Sequence, residues 1–285
     1  MKSFSQRTKE SLLSLETGKK CCRFAELAGI ALFAGRIRNG ELRILSEFEG
    51  TVKKFVMLSK SCFGKSFDIQ QGKGNYFCIV SEKEIIDKFS VDIPNEIVDR
   101  ECCRTAFLRG AFLGGGTIVD PNKNYNLEFL LPNEKLCSEF IAVLESLELS
   151  FKKTVRKGSL VVYVKNSETI GDALAYMGAF SSQMELLNVK IEKEIRNDMN
   201  RAANSETANM DKILTASAKQ IKAIQKIETN IGLDNISDEL REVAVLRNKY
   251  KDISLEVLGK MLTPPLSKSG VNHRIKKILS IAESI

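Results

Sequence analysis

Two stretches of this chain are copies of one another. Residues 21–37 read CCRFAELAGIALFAGRI and residues 102–118 read CCRTAFLRGAFLGGGTI, with nine of seventeen positions identical at a constant offset of 81. Two copies are too few for a solenoid, so the repeat predicts one domain built from two similar halves around a pseudo-twofold axis. Each copy reads as a helix with small residues about four apart: Ala25, Ala28 and Gly29 in the first, Ala106, Gly110 and Ala111 in the second. A glycine inside a helix costs about 1 kcal/mol. Close approach of two helix backbones would account for it, because a missing Cβ lets the axes come together. Gly35 and Gly116 are then expected to end the helices.

The segments after each copy follow in similar order. In the first half Glu41–Ile44, Ser66–Ile69 and Asn75–Val80 look extended, with residues 50–62 helical between them. In the second half Asn126–Leu130 is a strand, and residues 133–148 carry Leu136, Phe140, Val143, Leu144 and Leu147 at helical spacing. Phe151–Val155 and Leu160–Val164 flank the turn Lys157-Gly158-Ser159. Each half therefore reads as α-β-β-α-β-β-α.

Composition narrows the chemistry. Hydrophobic residues at 43% and charged residues at 28% are ordinary globular values. The chain has one histidine, His273, which excludes zinc sites built on several histidines. A Ser-His-Asp triad would have to be built on it, and no phosphate-binding loop or dinucleotide fingerprint is present. Four of the seven cysteines form the adjacent pairs Cys21-Cys22 and Cys102-Cys103. That spacing suits neither a disulfide framework nor a C-x-x-C metal site, so they read as reduced thiols packed as small apolar residues. The net charge of +7 is a modest pointer to an anionic partner. No apolar run is long enough to span a membrane, and the polar N-terminus lacks a secretory core, so the expected location is cytoplasmic.

Strand patterning stops after residue 164. Residues 191–222 are polar and helix-forming, with Arg196 and Arg201 among several asparagines placed to meet phosphate. Helices are expected at about 207–230, 237–248, 254–262 and 267–282, with Ser237, Ser254 and Ser267 as N-caps. Pro264-Pro265 breaks the last two apart, which makes a helix-turn-helix. On the last helix Val271, Ile275, Ile278 and Leu279 share the core face, opposite a polar one. From Val257 to Ala282 there is no acid, but there are five cations: Lys260, Lys268, Arg274, Lys276 and Lys277. A helix with this basic face fits the major groove. Lys268, Ser269, Asn272 and His273 are the candidate base contacts; Arg274, Lys276 and Lys277 are candidate phosphate contacts.

The segments Leu27–Gly35 and Leu108–Gly116 resemble the LAGLIDADG helices of homing endonucleases. That resemblance implies two helices at a pseudo-dyad and a saddle-shaped sheet on DNA, with an acid next to last in each motif holding the catalytic metal. Here those positions are Ala34 and Gly115, neither of which can bind a cation, so the scaffold is expected without the nuclease. With a C-terminal helix-turn-helix resembling sigma-factor region 4, the whole chain resembles the WhiA family. The resemblance rests on Phe4-Ser5-Gln6, both Cys-Cys-Arg repeats, Glu206–Asn209 and the stretch Pro264–Arg274. It implies a sequence-specific transcription regulator of Gram-positive bacteria, associated with sporulation, cell division or chromosome segregation. The expected organisation is a degenerate LAGLIDADG-like domain over 1–190 (halves about 1–90 and 91–190), a helical linker over 191–205 and a DNA-binding domain over 206–285. The expected fold class is α+β followed by an all-α unit. The expected partner is double-stranded DNA, with transcription or cell-division proteins as further partners, a nucleoid location, no membrane, no cofactor and no metal. Two other readings stay open on the residues alone: a nuclease using Glu26, Glu101 or Asp120, and a protein-binding adaptor localised by its helix-turn-helix. For each of the three acids, a solvated or capping role is the reading preferred.

Overall fold

The computed structural model of the chain describes residues 2–89 and 92–285. The boundary between halves expected near 90–91 lies outside the described residues. Two compact units divide between Lys193 and Glu194.

In the first unit, helix α1 (Phe4–Leu13) opens on a capping box in which Ser3 and Gln6 satisfy each other's backbone N–H groups. Then follow α2 (Lys20–Ala34), β1 (Gly35–Arg38), β2 (Glu41–Ser46), α3 (Glu49–Phe63), β3 (Gln70–Gln71), β4 (Tyr76–Val80), α4 (Lys83–Lys88) and α5 (Asn95–Val98). The second half repeats the order with α6 (Glu101–Gly115), β5 (Gly116–Ile118), β6 (Leu127–Leu131), α7 (Glu134–Glu145), β7 (Lys152–Arg156), β8 (Ser159–Val164) and α8 (Ser167–Met177). The two sheets share one topology, β1-β2-β4-β3 and β5-β6-β8-β7, antiparallel throughout. The repeated αββαββα plan is therefore present. The stretch Ser66–Ile69 is not a strand: pairing begins only at Gln70, whose partner is Phe77.

The repeated helices α2 and α6 pack side by side along their length, and glycine is what permits it. A Cβ on Gly29 would stand 2.6 Å from the Ala111 nitrogen, and one on Gly110 would stand 2.9 Å from the Glu26 carbonyl carbon. Around this seam Ala25, Leu27, Ala28, Ala106, Leu108 and Ala111 are fully buried. Gly35 and Gly116 do end the helices, but not as left-handed caps. Their φ values are −80° and −85°, and both run straight into strands. A Cβ on Gly35 would stand 2.8 Å from a Leu42 methyl. The last turn of the helix, whose Ala31 carbonyl oxygen the Cβ would strike first, and not a positive φ, explains the residue there.

Helix α9 (Phe180–Asn230) runs unbroken through residues 191–205, with no glycine or proline anywhere in it to stop it. In the second unit α9 is followed by a one-turn 3₁₀ helix (Leu233–Asn235), α10 (Asp238–Lys249), α11 (Leu255–Lys260) and α12 (Lys268–Ser284). Ile224 and Ile227 of α9 join Val243, Ala244, Leu258, Val271, Ile275 and Ile278 in a separate apolar core. Buried Arg247 bridges α10 to the next loop through the carbonyls of Tyr250 and Ile253.

Candidate nucleic-acid interface

The geometry of α12 follows from how α11 meets it. Ser254 accepts from the Val257 N–H and Ser267 from the Gly270 N–H, so both helices begin on side-chain caps. Ser237 heads α10 without a side-chain bond. The Leu266 N–H donates to the Gly259 carbonyl at 2.9 Å, closing the turn. Gly259 is required there, since a Cβ would stand 3.0 Å from a Val271 methyl and closer still to the Leu266 carbonyl oxygen.

With Val271, Ile275, Ile278 and Ala282 facing the core, α12 turns its other side outward. Lys268, Ser269, Asn272, His273, Lys276 and Lys277 are all exposed. Lys268, Lys276 and Lys277 make no ion pair among the described residues. Two expected cations are less available. Arg274 lies half-buried against α10, 3.4 Å from both the Glu239 carbonyl oxygen and its carboxylate, and Lys260 pairs with Glu256 at 3.1 Å. The acid-free run holds along the chain, but the fold brings acids to it from neighbouring segments. Arg196 and Arg201 are exposed on α9, and Arg201 is paired with Asp198 at 2.6 Å.

In the first unit Ala34 and Gly115 line one groove of about 530 Å³, as the repeat requires. Among the lining residues the only carboxylate is Glu47, against the cations Lys9, Arg36 and Lys73. The tips have also become packing positions: a Cβ on Gly115 would stand 3.2 Å from the Phe33 ring. None of the three alternative acids lines this groove. Asp120 accepts from the Asn122 backbone and side-chain amides, which holds its carboxyl below the usual range. Glu101 is exposed in the first turn of α6. Glu26 is neither solvated nor a cap. It is 0% exposed, 3.2 Å from Arg109 and 3.8 Å from Lys54, and accepts from the Thr17 hydroxyl. The repeat could not reveal this, because Lys54 and Thr17 lie outside it and Arg109, in the second copy, meets Glu26 only when the two helices pack.

Lys9 is a second buried charge, lying over the Phe48 and Phe112 rings at 5.3 and 5.7 Å. Burial pushes its ammonium down to about 8, opposed by Glu47. A lysine held low in the fold disfavours folding while protonated, so stability should rise as pH climbs from about 8 to about 10.5. Lys9→Met is expected to stabilise the protein at about pH 7 by up to about 3 kcal/mol, a gain that fades by about pH 10. Urea melts of parent and variant at both pH values check this; a variant less stable at pH 7 would refute it.

Sequence reasoning placed most of the strands but missed the basic residues on their exposed faces. On the first sheet, Arg36 pairs with Arg43 and Arg38 with Glu41 across β1 and β2, and the three arginines are exposed. Arg43 stacks 3.7 Å over the half-buried Phe77. On the second, Arg156 lies 5.1 Å over Tyr163 and bonds Glu128, beside exposed Lys152. The alternation Arg36-Ile37-Arg38 was the available signal, masked because β1 is only four residues long.

Comparison with known proteins agrees with these two units. Residues 104–196 match the model of the WhiA LAGLIDADG-like domain, and residues 199–282 that of the WhiA C-terminal HTH domain. The chain is 36% identical to the probable cell division protein WhiA of Alkaliphilus metalliredigens, covering 99% of this chain and 98% of that protein. It is 38% identical to the protein of the same name from Heliobacterium modesticaldum, covering 99% and 96%. The full-length DUF199/WhiA crystal structure from Thermatoga maritima superposes with a TM-score of 0.63 at 26% identity, covering 100% of this chain and 99% of that one. Among the described residues no helix is long and apolar enough to cross a membrane.

Proposed function

The chain belongs to the WhiA family, and from that premise we propose that it is a sequence-specific DNA-binding regulator that leaves its DNA uncut. The observation that carries this reading is the outward face of α12, where exposed lysines and polar side chains stand on a helix seated by its own small core. Lys268, Ser269, Asn272 and His273 sit in the first two turns, the part of a recognition helix that reaches base edges. Lys276 and Lys277 meet phosphate, with Arg274 contributing once Glu239 releases it. Arg196 and Arg201 on α9, and the arginines of the β-sheet face, add contacts that carry no sequence information.

The absence of nuclease action belongs to the same reading, supported by Ala34 and Gly115 at the motif tips and by the cations that share their groove. The proposed setting is cell division, the process in the curated relatives' name, extending to chromosome segregation and, in hosts that sporulate, sporulation. The proposed location is the cytoplasm, on the nucleoid. Transcription or cell-division proteins are the proposed further partners.

Fluorescence anisotropy with duplex DNA across a KCl series tests the interface. Lys277→Ala should weaken binding to every sequence and flatten the plot of log K against log salt by about 1. Asn272→Ala should instead cost about 1–3 kcal/mol on the preferred site and little on random DNA. Unchanged slopes and affinities in both variants would remove α12 from the DNA. Plasmid incubated with Mg²⁺ or Mn²⁺ should stay supercoiled; metal-dependent nicking would overturn the non-nuclease part of the proposal.

A further inference from the structure

The two Cys-Cys pairs of the repeat meet in space. Cys21 and Cys22 lie in the first turn of α2, Cys102 and Cys103 in the first turn of α6, and all four sulfurs fall within 4.8 Å of one another. Cys103 is buried and the other three are half-buried. All four are reduced, with the Cys21 and Cys22 sulfurs 4.0 Å apart and the Cys22 thiol donating to the Cys102 carbonyl at 3.3 Å. Reading them as separate small apolar residues overlooked this, because ligand spacing was sought within one segment and the pairs are 81 residues apart.

We propose that Cys21, Cys22, Cys102 and Cys103 form a structural site for a single zinc-class divalent ion, clamping the beginnings of the two dyad helices together. Four thiolates at the zinc–sulfur distance of about 2.3 Å form a tetrahedron with edges of about 3.8 Å. The observed 4.8 Å limit therefore asks for a contraction of about 1 Å at most, by rotation about Cα–Cβ bonds. A multi-iron cluster would spread its cysteines further apart, so the tight grouping favours one ion.

The electrostatics suit a dianionic tetrathiolate. Neither α2 nor α6 has a side-chain cap on its N-terminus, and the four sulfurs are carried on the first turns, where the positive end of each helix dipole favours negative charge. Lys19 and Lys20 precede the first pair and Arg100 precedes the second. The pseudo-dyad supplies the ligands two by two.

The full-length protein, reduced and stripped with a chelator, is titrated anaerobically with Co²⁺ alone. Sulfur-to-cobalt charge transfer and the intense visible bands of four-coordinate cobalt are expected, saturating at about one ion per chain and bleached by Zn²⁺. Zn²⁺ should also raise the Tm of the parent. Cys21→Ser with Cys102→Ser should abolish both effects, whereas Cys62→Ser, outside the cluster, should keep them; circular dichroism checks that each variant is folded. The parent titration decides the matter even if the double variant does not fold. Absent or octahedral-type bands in the parent, bands retained by a folded double variant, or four thiols that take up no metal and only oxidise in air would each overturn the site.

Discussion

Glu26→Ala is expected to destabilise the N-terminal unit by about 3–5 kcal/mol, lowering its Tm by roughly 10 °C. The carboxylate is fully buried and answers two cations, Arg109 and Lys54, which are themselves 13% and 4% exposed. Arg109 also donates to the Met177 carbonyl and Lys54 to the Leu15 carbonyl, so neither can swing out to water without breaking a second bond. Removing the acid would leave two positive charges in a dry site. A buried ion pair is often no better than a well-packed apolar substitute, but stripping one partner from it is costly. Calorimetry on the full chain measures the effect, and a shift below about 1 kcal/mol would show that the pair is solvated. The result bears on function too. Any activity lost with Glu26 is lost through the fold, so this residue cannot serve to test for a catalytic metal.

Gly110→Ala should cost at least about 3 kcal/mol, the top of the range for overpacking, because its neighbours cannot yield. The added methyl meets the Glu26 backbone, with Cα and carbonyl carbon at 3.1 and 2.9 Å and the carbonyl oxygen nearer still. Side chains relieve such clashes by changing rotamer, but here two helix backbones would have to move apart. Separation would unseat Ala25, Ala28, Ala106 and Ala111 together. Gly29→Ala should behave alike, its methyl falling on Gly110, Ala111 and the Phe107 carbonyl. By contrast Gly18→Ala, with nothing within 4 Å of the new Cβ, is the control and should change stability by less than about 0.5 kcal/mol. Comparable unfolding curves for Gly110→Ala and Gly18→Ala would mean the dyad seam is loosely packed.

What was legible along the chain was whatever depends on near neighbours or on likeness between segments. The repeat implied the dyad, the small residues implied close helices, and periodicity placed α3, α7, α10 and α12 to within a few residues. The face of α12 could be drawn at 100° per residue, and Lys268, Asn272, His273, Lys276 and Lys277 are exposed as drawn. Strands as short as β3 and β5 carry too few residues for alternation to register.

What the tertiary structure alone decided is the pairing of groups distant along the chain. It set Arg274 against Glu239, put Glu26 between Arg109 and Lys54, sank Lys9 between two aromatic rings, and gathered four cysteines from two helices into one cluster. A residue's type and spacing say what it can bond. Only the packing says which distant partner comes within the few ångströms where charge, desolvation and metal ligation act.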